Sequence, residues 1–276
     1  MTELRRHRLQ AAITAAALAA VTFVAAPAAL RADDKAVAPA GQAAASSFSP
    51  AQKSEIEKII KDYLIANPEV FLEIQQALED KMEQAQAAKM KDALAKHAET
   101  LFRDPDAPVA GDPKGDVTVV EFFDYNCGYC KRGFSDLAQL IKDDPKVRVV
   151  FRELPILSKG SEEAAQVALA ARMQGKYWEF HSAMIVHKGQ ADMATALKIA
   201  EKAGLDMNRL KADLKSPKVQ AEIDKVRELA QTLGINGTPH FIVGNKSIPG
   251  APQDLLAQLK SDIAEMRKNG CGTIAC

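Results

Sequence analysis

Several features that mark common classes of protein are missing from this sequence of 276 residues. It has no excess of charge, because 36 lysines and arginines balance 36 aspartates and glutamates. A nucleic-acid binder that relies on phosphate neutralisation needs many basic residues, so the balance argues against a nucleic-acid partner. The sequence also has no glycine-rich phosphate loop and no metal, nucleotide or flavin signature. We therefore expect no cofactor.

A long uncharged run extends from Leu9 to Leu30. Three arginines precede it, and small residues that suit a cleavage site follow it, which is the order typical of a secretory signal peptide. The alternative is a membrane anchor, but the run is mostly alanine and contains Pro27. We predict that residues 1–32 are a cleaved signal peptide and that the protein works in the periplasm.

Cysteine is scarce, and its four copies form two pairs, Cys127 with Cys130 and Cys271 with Cys276. Disulfides form readily in an exported protein with an even number of cysteines. A structural zinc site would need both pairs at compatible spacings, and the Cys-x4-Cys spacing of the second pair is poor. The first pair is therefore predicted to be a redox pair, with no metal site.

The C-terminal pair permits three interpretations. A local disulfide between Cys271 and Cys276 would fasten the tail, residues 271–276, and this interpretation is favoured. The alternatives are a second exchange pair and a soft thiolate site for cuprous copper.

The redox pair follows a β-branched and aromatic run, Val117–Phe123, that predicts a buried strand. Cys127 comes where a helix would begin, so its sulfur would face unpaired backbone N–H groups and the positive end of the helix dipole. Both favour the thiolate, which predicts Cys127 as the nucleophile and Cys130 as the resolving thiol. Between them, Gly128 and Tyr129 are predicted to tune the redox potential.

The region before this strand divides into two parts. Residues 33–50 are rich in alanine, proline, glycine and serine, which predicts a flexible linker. Residues 51–98 predict two amphipathic helices that cannot bury their apolar stripe within themselves. Such an arm either docks on the following domain or packs against copies of itself, and we favour oligomerisation. The heptad pattern is imperfect, so the number of copies is left open and a trimer is one possibility.

Residues 99–270 predict an α/β domain. Residues 103–115, rich in proline and glycine, predict a boundary loop. A strand, a helix and a second strand follow, and then a helical block that starts at Ser161. Two further strands and a last helix complete the domain.

Two strings of this sequence, Val120–Cys130 and Gly237–Phe241, resemble the active-site segments of DsbA-type periplasmic thiol–disulfide proteins. The resemblance implies a thioredoxin fold with a helical insertion over about residues 99–268. Within that family, the N-terminal arm and the Cys-Gly-Tyr-Cys motif are similar to the suppressor-of-copper-sensitivity C (ScsC) proteins, some of which are oligomeric disulfide isomerases.

The resemblance also implies roles for three residues. Pro239 corresponds to a cis-proline beside the redox pair, and the backbone of Thr238 would bind an extended substrate. The alternative for Pro239 is an ordinary proline at the start of a strand. Glu121 would accept a proton from the resolving thiol through a raised pKa, or else form an edge salt bridge.

We therefore expect a disulfide isomerase or reductase acting on exported proteins that contain disulfides. The implied partner is a membrane protein that keeps the redox pair reduced, and the implied assembly is a homo-oligomer. The alternatives are a monomeric dithiol oxidase and a copper-binding stress protein.

Overall fold

A computed structural model describes residues 48–270. The predicted signal peptide, most of the predicted linker, and Cys271 and Cys276 lie outside the described residues, so those interpretations stay predictions. The chain divides between Ala66 and Asn67 into two compact units. The first unit contributes a single described helix, and the second contains the sheet and the other helices.

The helices of the described residues are α1 (Pro50–Ala66), α2 (Glu69–Lys96), α3 (Ala98–Phe102), α4 (Gly128–Asp143), α5 (Lys159–Met173), α6 (Tyr177–Ile185), α7 (Met193–Lys202), α8 (Met207–Asp213), α9 (Pro217–Leu233) and α10 (Leu255–Asn269). None of the helices within residues 48–270 is long and apolar enough to span a bilayer.

The strands are β1 (Val109–Gly111), β2 (Val117–Phe123), β3 (Val147–Glu153), β4 (His240–Val243) and β5 (Lys246–Pro249). They form one sheet in the order β1-β3-β2-β4-β5. The pair β2–β3 is parallel, and the other neighbours are antiparallel. The sheet therefore places β2, which leads into the redox pair, at its centre.

The seven residues of β2 are all buried, since helices cover both faces of the sheet. Alternate side chains point to opposite faces. On one face, Val119 and Phe123 pack in the larger core cluster, which includes residues of α4 and α10. On the other face, Val120 and Phe122 pack in a second cluster with residues of α9.

The second cluster also holds the end of α2. Leu94 is fully buried, and Met90 and Ala93 pack beside it. The next buried side chains, Leu101 and Phe102 in α3, belong to the same cluster. The last turns of α2 are thus part of the core of the second unit, whereas the first part of α2 is exposed.

Two details differ from the sequence-based expectations. The predicted boundary loop, residues 103–115, contains the edge strand β1, whose three residues are too few to give a period-two pattern. The helical block begins at Lys159 rather than Ser161, because the Ser158 side chain accepts a hydrogen bond from the Ser161 backbone and caps α5.

Candidate active site

Cys127 lies where β2 and α4 meet. A tight turn joins the two elements, because the Cys127 backbone N–H donates to Asp124 O at 3.0 Å. Cys127 is the N-cap residue of α4, with an extended backbone. Cys127 is 7% exposed, whereas Cys130, one turn further along, is fully buried. Both cysteines are free thiols.

The surroundings of Cys127 favour its thiolate. The Cys130 side chain, followed by the Thr238 side chain and the backbone N–H groups of Cys130 and Tyr129, lowers the pKa of Cys127 to about 5 by hydrogen bonding to the sulfur. Burial opposes this effect. The neutral Cys127 thiol can donate a hydrogen bond to Thr238 O, which lies 3.1 Å from Sγ. This bond stabilises the neutral form, but the hydrogen bonds to the thiolate outweigh it.

Cys130 has the opposite character. Burial raises the pKa of the Cys130 thiol far above its usual range, and the hydrogen bond to Cys127 and the charge of Glu121 act in the same direction. The two sulfurs of the motif therefore differ at neutral pH: Cys127 is a thiolate and Cys130 is a protonated thiol.

Glu121 lies in the middle of β2, opposite Phe151 of β3 and Phe241 of β4. The strand alternation puts it on the same face as Val119 and Phe123, where α4 also packs. Its side chain is buried, and burial, followed by the negative charge of the Cys127 thiolate, raises the pKa of Glu121 to about 8. A carboxyl in this position can exchange a proton near neutral pH.

The predicted substrate-binding segment also lies beside the nucleophile. The Thr238–Pro239 peptide bond is cis, and Thr238 O is the acceptor of the Cys127 thiol. Pro239 directly precedes β4, and its carbonyl accepts from Gly250 N at 2.8 Å. The structure thus brings Cys127, Cys130 and Thr238 together, while their roles in substrate binding stay predictions.

The two residues between the cysteines are exposed. Apart from the adjacent residues and the backbone of α4 itself, no atom lies within 4 Å of the position that a Cβ would take at Gly128. The Tyr129 side chain is 59% exposed, and the Arg132 guanidinium lies over its ring, 4.7 Å from the centroid. Their influence on the redox potential stays a prediction.

The two basic residues that follow Cys130 contact neighbouring loops. Lys131 Nζ donates to His187 O at 2.6 Å and to Gly189 O at 3.2 Å. Arg132 donates to Ala251 O. These contacts fasten the first turns of α4 to two loops beside the motif.

A buried polar cluster, which sequence reasoning missed, supports the turn before Cys127. The Tyr177 hydroxyl donates to Glu153 Oε1 at 2.8 Å, and the Tyr125 hydroxyl lies 3.3 Å from the same oxygen and 3.1 Å from His181 Nδ1. Burial raises the pKa of Glu153 well above its usual range and lowers that of His181 to about 3. The imidazole is therefore neutral at neutral pH.

Asp124 was also missed as a site residue. Its carboxylate accepts the backbone N–H groups of Asn126, Ile156 and Leu157 at 2.7 to 3.0 Å. The available signal was an aspartate in the turn just before a predicted helix, since short polar side chains often accept backbone N–H groups there. The Asp124 carboxylate links the turn before α4 to the segment after β3.

Comparison with known families agrees with this architecture. Residues 118–264 match the family described as the DSBA-like thioredoxin domain. The chain belongs to this family. Residues 52–85 match a second family model, described as the copper resistance protein ScsC N-terminal domain. The two matches confirm the resemblance to DsbA-type and ScsC proteins, and the predicted α/β class, a thioredoxin fold with a helical insertion, is confirmed.

Solved structures extend the comparison of the DSBA-like domain. A thioredoxin-like oxidoreductase from Silicibacter pomeroyi DSS-3 is 48% identical with a TM-score of 0.60, and the match covers 62% of this chain and 98% of that one. A linker-deletion variant of Proteus mirabilis ScsC is 26% identical with a TM-score of 0.62. That match covers 81% of this chain and 99% of the variant, so it includes part of the helical region before the DSBA-like domain.

Curated relatives match over a smaller share of their own length. The Na(+)/H(+) antiporter NhaA 3 of Salinispora tropica is 33% identical over 146 residues, which are 52% of this chain and 22% of that protein. This chain spans roughly a quarter of the length of the curated relatives it matches. The similarity therefore concerns a DSBA-like portion of those proteins.

Proposed function

We propose that the protein is a periplasmic thiol–disulfide oxidoreductase that acts mainly as a disulfide isomerase or reductase on exported proteins. One observation carries the oxidoreductase activity: an acidic, slightly exposed Cys127 thiol lies beside a fully buried Cys130 thiol of high pKa. The preference for isomerisation rests on the helical arm. A nucleophile that is anionic at neutral pH and a protonated resolving thiol are the two groups that disulfide exchange requires.

The first step joins enzyme and substrate. The Cys127 thiolate attacks one sulfur of a substrate disulfide, that S–S bond breaks, and the other substrate sulfur leaves as a thiolate. In isomerisation, a different substrate thiolate attacks the substrate sulfur of the mixed disulfide. Cys127 then returns as a thiolate, and the substrate gains a rearranged disulfide without net oxidation.

Reduction uses the second thiol. Cys130 loses its proton and attacks Cys127 Sγ, which forms the Cys127–Cys130 disulfide and releases the reduced substrate thiolate. In the mixed disulfide Cys127 carries no charge, but burial still raises the pKa of Glu121, and its ionised fraction near neutral pH can take that proton. A membrane redox partner would return the pair to the dithiol state.

Substrate binding is proposed at Thr238 and Pro239. Thr238 O lies within hydrogen-bond distance of the nucleophile, so an extended peptide that pairs with this backbone would bring its disulfide to Cys127. Tyr129 and Leu157, both more than half exposed, offer apolar surface near the motif. A partly unfolded substrate exposes the apolar side chains that such a surface would bind.

The helical arm is proposed to join copies of this chain. Within α2, four of the exposed apolar residues recur at intervals of three and four, which is the spacing of helix–helix packing. They are Phe71, Ile74, Leu78 and Met82. The ScsC N-terminal family match ends at residue 85, just before α2 enters the core of the second unit. Several active sites on one assembly would act on one misfolded substrate, which favours isomerisation.

The test compares two chains, one starting at residue 33 and one at residue 86. The cut at residue 86 removes the exposed arm but keeps Leu94, which the core needs. The longer chain should restore activity to scrambled ribonuclease, and the shorter chain should lose most of this activity while still reducing a small disulfide. Equal recovery with both chains would contradict the role of the arm.

A dithiol oxidase is the second candidate, and the low pKa of Cys127 favours it. A stabilised thiolate stabilises the reduced enzyme, which makes its disulfide a better oxidant. If the disulfide form of the longer chain oxidised reduced ribonuclease rapidly, while its reduced form did not rescue the scrambled protein, the oxidase would be the correct function.

Copper binding is a third candidate, favoured by the description of the N-terminal family and by the soft thiolate of Cys127. Cuprous titration of the reduced protein and of a Cys127→Ser variant tests it. Weak binding, or equal binding by both proteins, would exclude a copper site at the redox pair.

A further inference from the structure

Three chain segments meet beside Cys127. They are the turn after β2 (residues 124–126), the start of α5 with the residues before it (residues 156–161), and the segment before α7 (residues 187–191). The Asp124 carboxylate already ties the first segment to the second through backbone N–H groups. The side chain that ties the first segment to the third belongs to Asn126.

The Asn126 amide makes a two-way pair with one backbone residue. Asn126 Oδ1 accepts the Ala191 N–H at 2.7 Å, and Asn126 Nδ2 donates to Ala191 O at 3.0 Å. The orientation of the amide is unambiguous, because a backbone N–H can only donate and a backbone carbonyl can only accept. Nδ2 also lies 3.1 Å from Ser158 Oγ and 3.0 Å from Ser161 Oγ.

Two further contacts show how closely these segments approach. A Cβ on Gly160, in the first turn of α5, would overlap Ala191 O, so only glycine allows the approach. Lys131 Nζ holds the same segment through His187 O and Gly189 O. The segment is thus anchored by the residue before Cys127 and by the residue after Cys130.

We propose that Asn126 is a positioning residue for thiol–disulfide exchange: its amide fixes the backbone immediately before Cys127 and thereby holds the sulfur against the first turn of α4. The proposal rests on the proposed function. It assigns a role to a residue that touches neither substrate nor the reacting atoms. The mechanism otherwise uses only Cys127, Cys130, Glu121 and the Thr238–Pro239 segment.

The physical reason lies in the position of Cys127 at the N-cap. The N–H groups of Tyr129 and Cys130 belong to α4, whereas the backbone of Cys127 depends on the turn before it. When Asn126 no longer holds the turn, Sγ can move away from those donors and the anion loses stabilisation. A residue that only supports the fold would change stability without changing the acidity of one thiol.

The experiment compares Asn126→Ala with Asn208→Ala, an exposed asparagine in α8 that serves as the matched control. Each full-length reduced protein is alkylated with iodoacetamide between pH 4 and pH 9, and the labelled cysteine is identified by peptide mass. In Asn126→Ala, the midpoint of the Cys127 profile should rise by about one pH unit, so that the rate at pH 5 falls about fivefold. The control should match the unchanged protein.

A folded Asn126→Ala protein whose midpoint equals that of the control would overturn the proposal. If this variant does not fold, Ser161→Ala removes one of the three acceptors of Nδ2 and should lower the rate at pH 5 about twofold, and no change there would overturn it equally. An ordinary midpoint for the unchanged protein would instead contradict the proposed function, so the two failures are distinguishable.

Discussion

The two thiols of the motif lie in one turn of one helix and yet have opposite acid–base properties. Cys127, at the N-cap, gains from N–H groups and from the Cys130 thiol, while Cys130 has no comparable compensation for its burial. The pKa values of the two thiols differ because Cys130 lies three residues further along the chain than Cys127. This difference in pKa assigns the attacking role to Cys127 and the resolving role to Cys130, as we propose.

The Cys130→Ala variant tests the contact between the thiols. It removes the side chain that contributes most to the acidity of Cys127, so the pKa of Cys127 should rise by roughly one unit. It also removes the resolving thiol, so mixed disulfides with substrate should accumulate on non-reducing gels. A Cys130→Ala protein with an unchanged alkylation profile would show that the contact has no influence.

Glu121 gives a prediction for stability against pH. Burial raises its pKa from 4.5 to about 8, so between these values the folded protein keeps a proton that the unfolded chain has released. The unfolded state then binds fewer protons, and the free energy of unfolding falls as the pH rises through this window. From pH 5 to pH 8, the unchanged protein should lose on the order of 3 kcal/mol relative to Glu121→Gln.

Urea denaturation of the reduced proteins at several pH values measures this difference. Glu228→Gln, at an exposed position of α9, is the control. The difference in the free energy of unfolding between this variant and the unchanged protein should be the same at every pH. A flat difference for Glu121→Gln as well would mean that Glu121 ionises normally and is not the proposed proton acceptor.

Among the elements, α2 has two different halves. Leu78 is exposed, whereas Leu94 is fully buried in the second core cluster. Leu94→Ala should therefore lower the free energy of unfolding by about 3 kcal/mol. Leu78→Ala should change it by less than about 0.5 kcal/mol at a dilution where the chain is monomeric.

Chemical denaturation at low protein concentration distinguishes the two variants. Equal losses would contradict the division of α2 into a docked end and an exposed beginning.

Most elements were predictable from the sequence because their signals are local. The β-branched run of β2 and the amphipathic pattern of residues 51–98 are examples. The edge strand β1 was not predictable, because three residues carry no period and its pairing with β3 is a tertiary contact. Asn126 is adjacent to Cys127 in the sequence, but its proposed positioning role depends on hydrogen bonds to Ala191, 65 residues away. No local sequence pattern encodes that contact.

In the candidate site, too, the residues that depend on tertiary contacts were not predictable from local sequence patterns. Cys127 and Cys130 were identifiable from their spacing, and Thr238, Pro239 and Glu121 only from the family resemblance. The cluster of Glu153, Tyr125, Tyr177 and His181 joins two separate elements, β3 and α6, and the turn before Cys127. Its members look like ordinary core and strand residues in the sequence.

For the whole molecule, we propose that the arm determines whether active sites act singly or together. Light scattering of the chain that starts at residue 33 should give a multiple of the single-chain mass, and the chain that starts at residue 86 should give the single-chain mass. If both chains are monomeric, the exposed stripe of α2 has another partner and the isomerase proposal loses its main support.

The pH dependence of Cys127 alkylation in the full reduced protein tests the central claim most directly. Peptide mass distinguishes Cys127 from Cys271 and Cys276, which the same reagent can label. The Cys127 pKa of about 5 gives an expected midpoint near pH 5. A midpoint near that of an ordinary thiol, about 8.5, would contradict it.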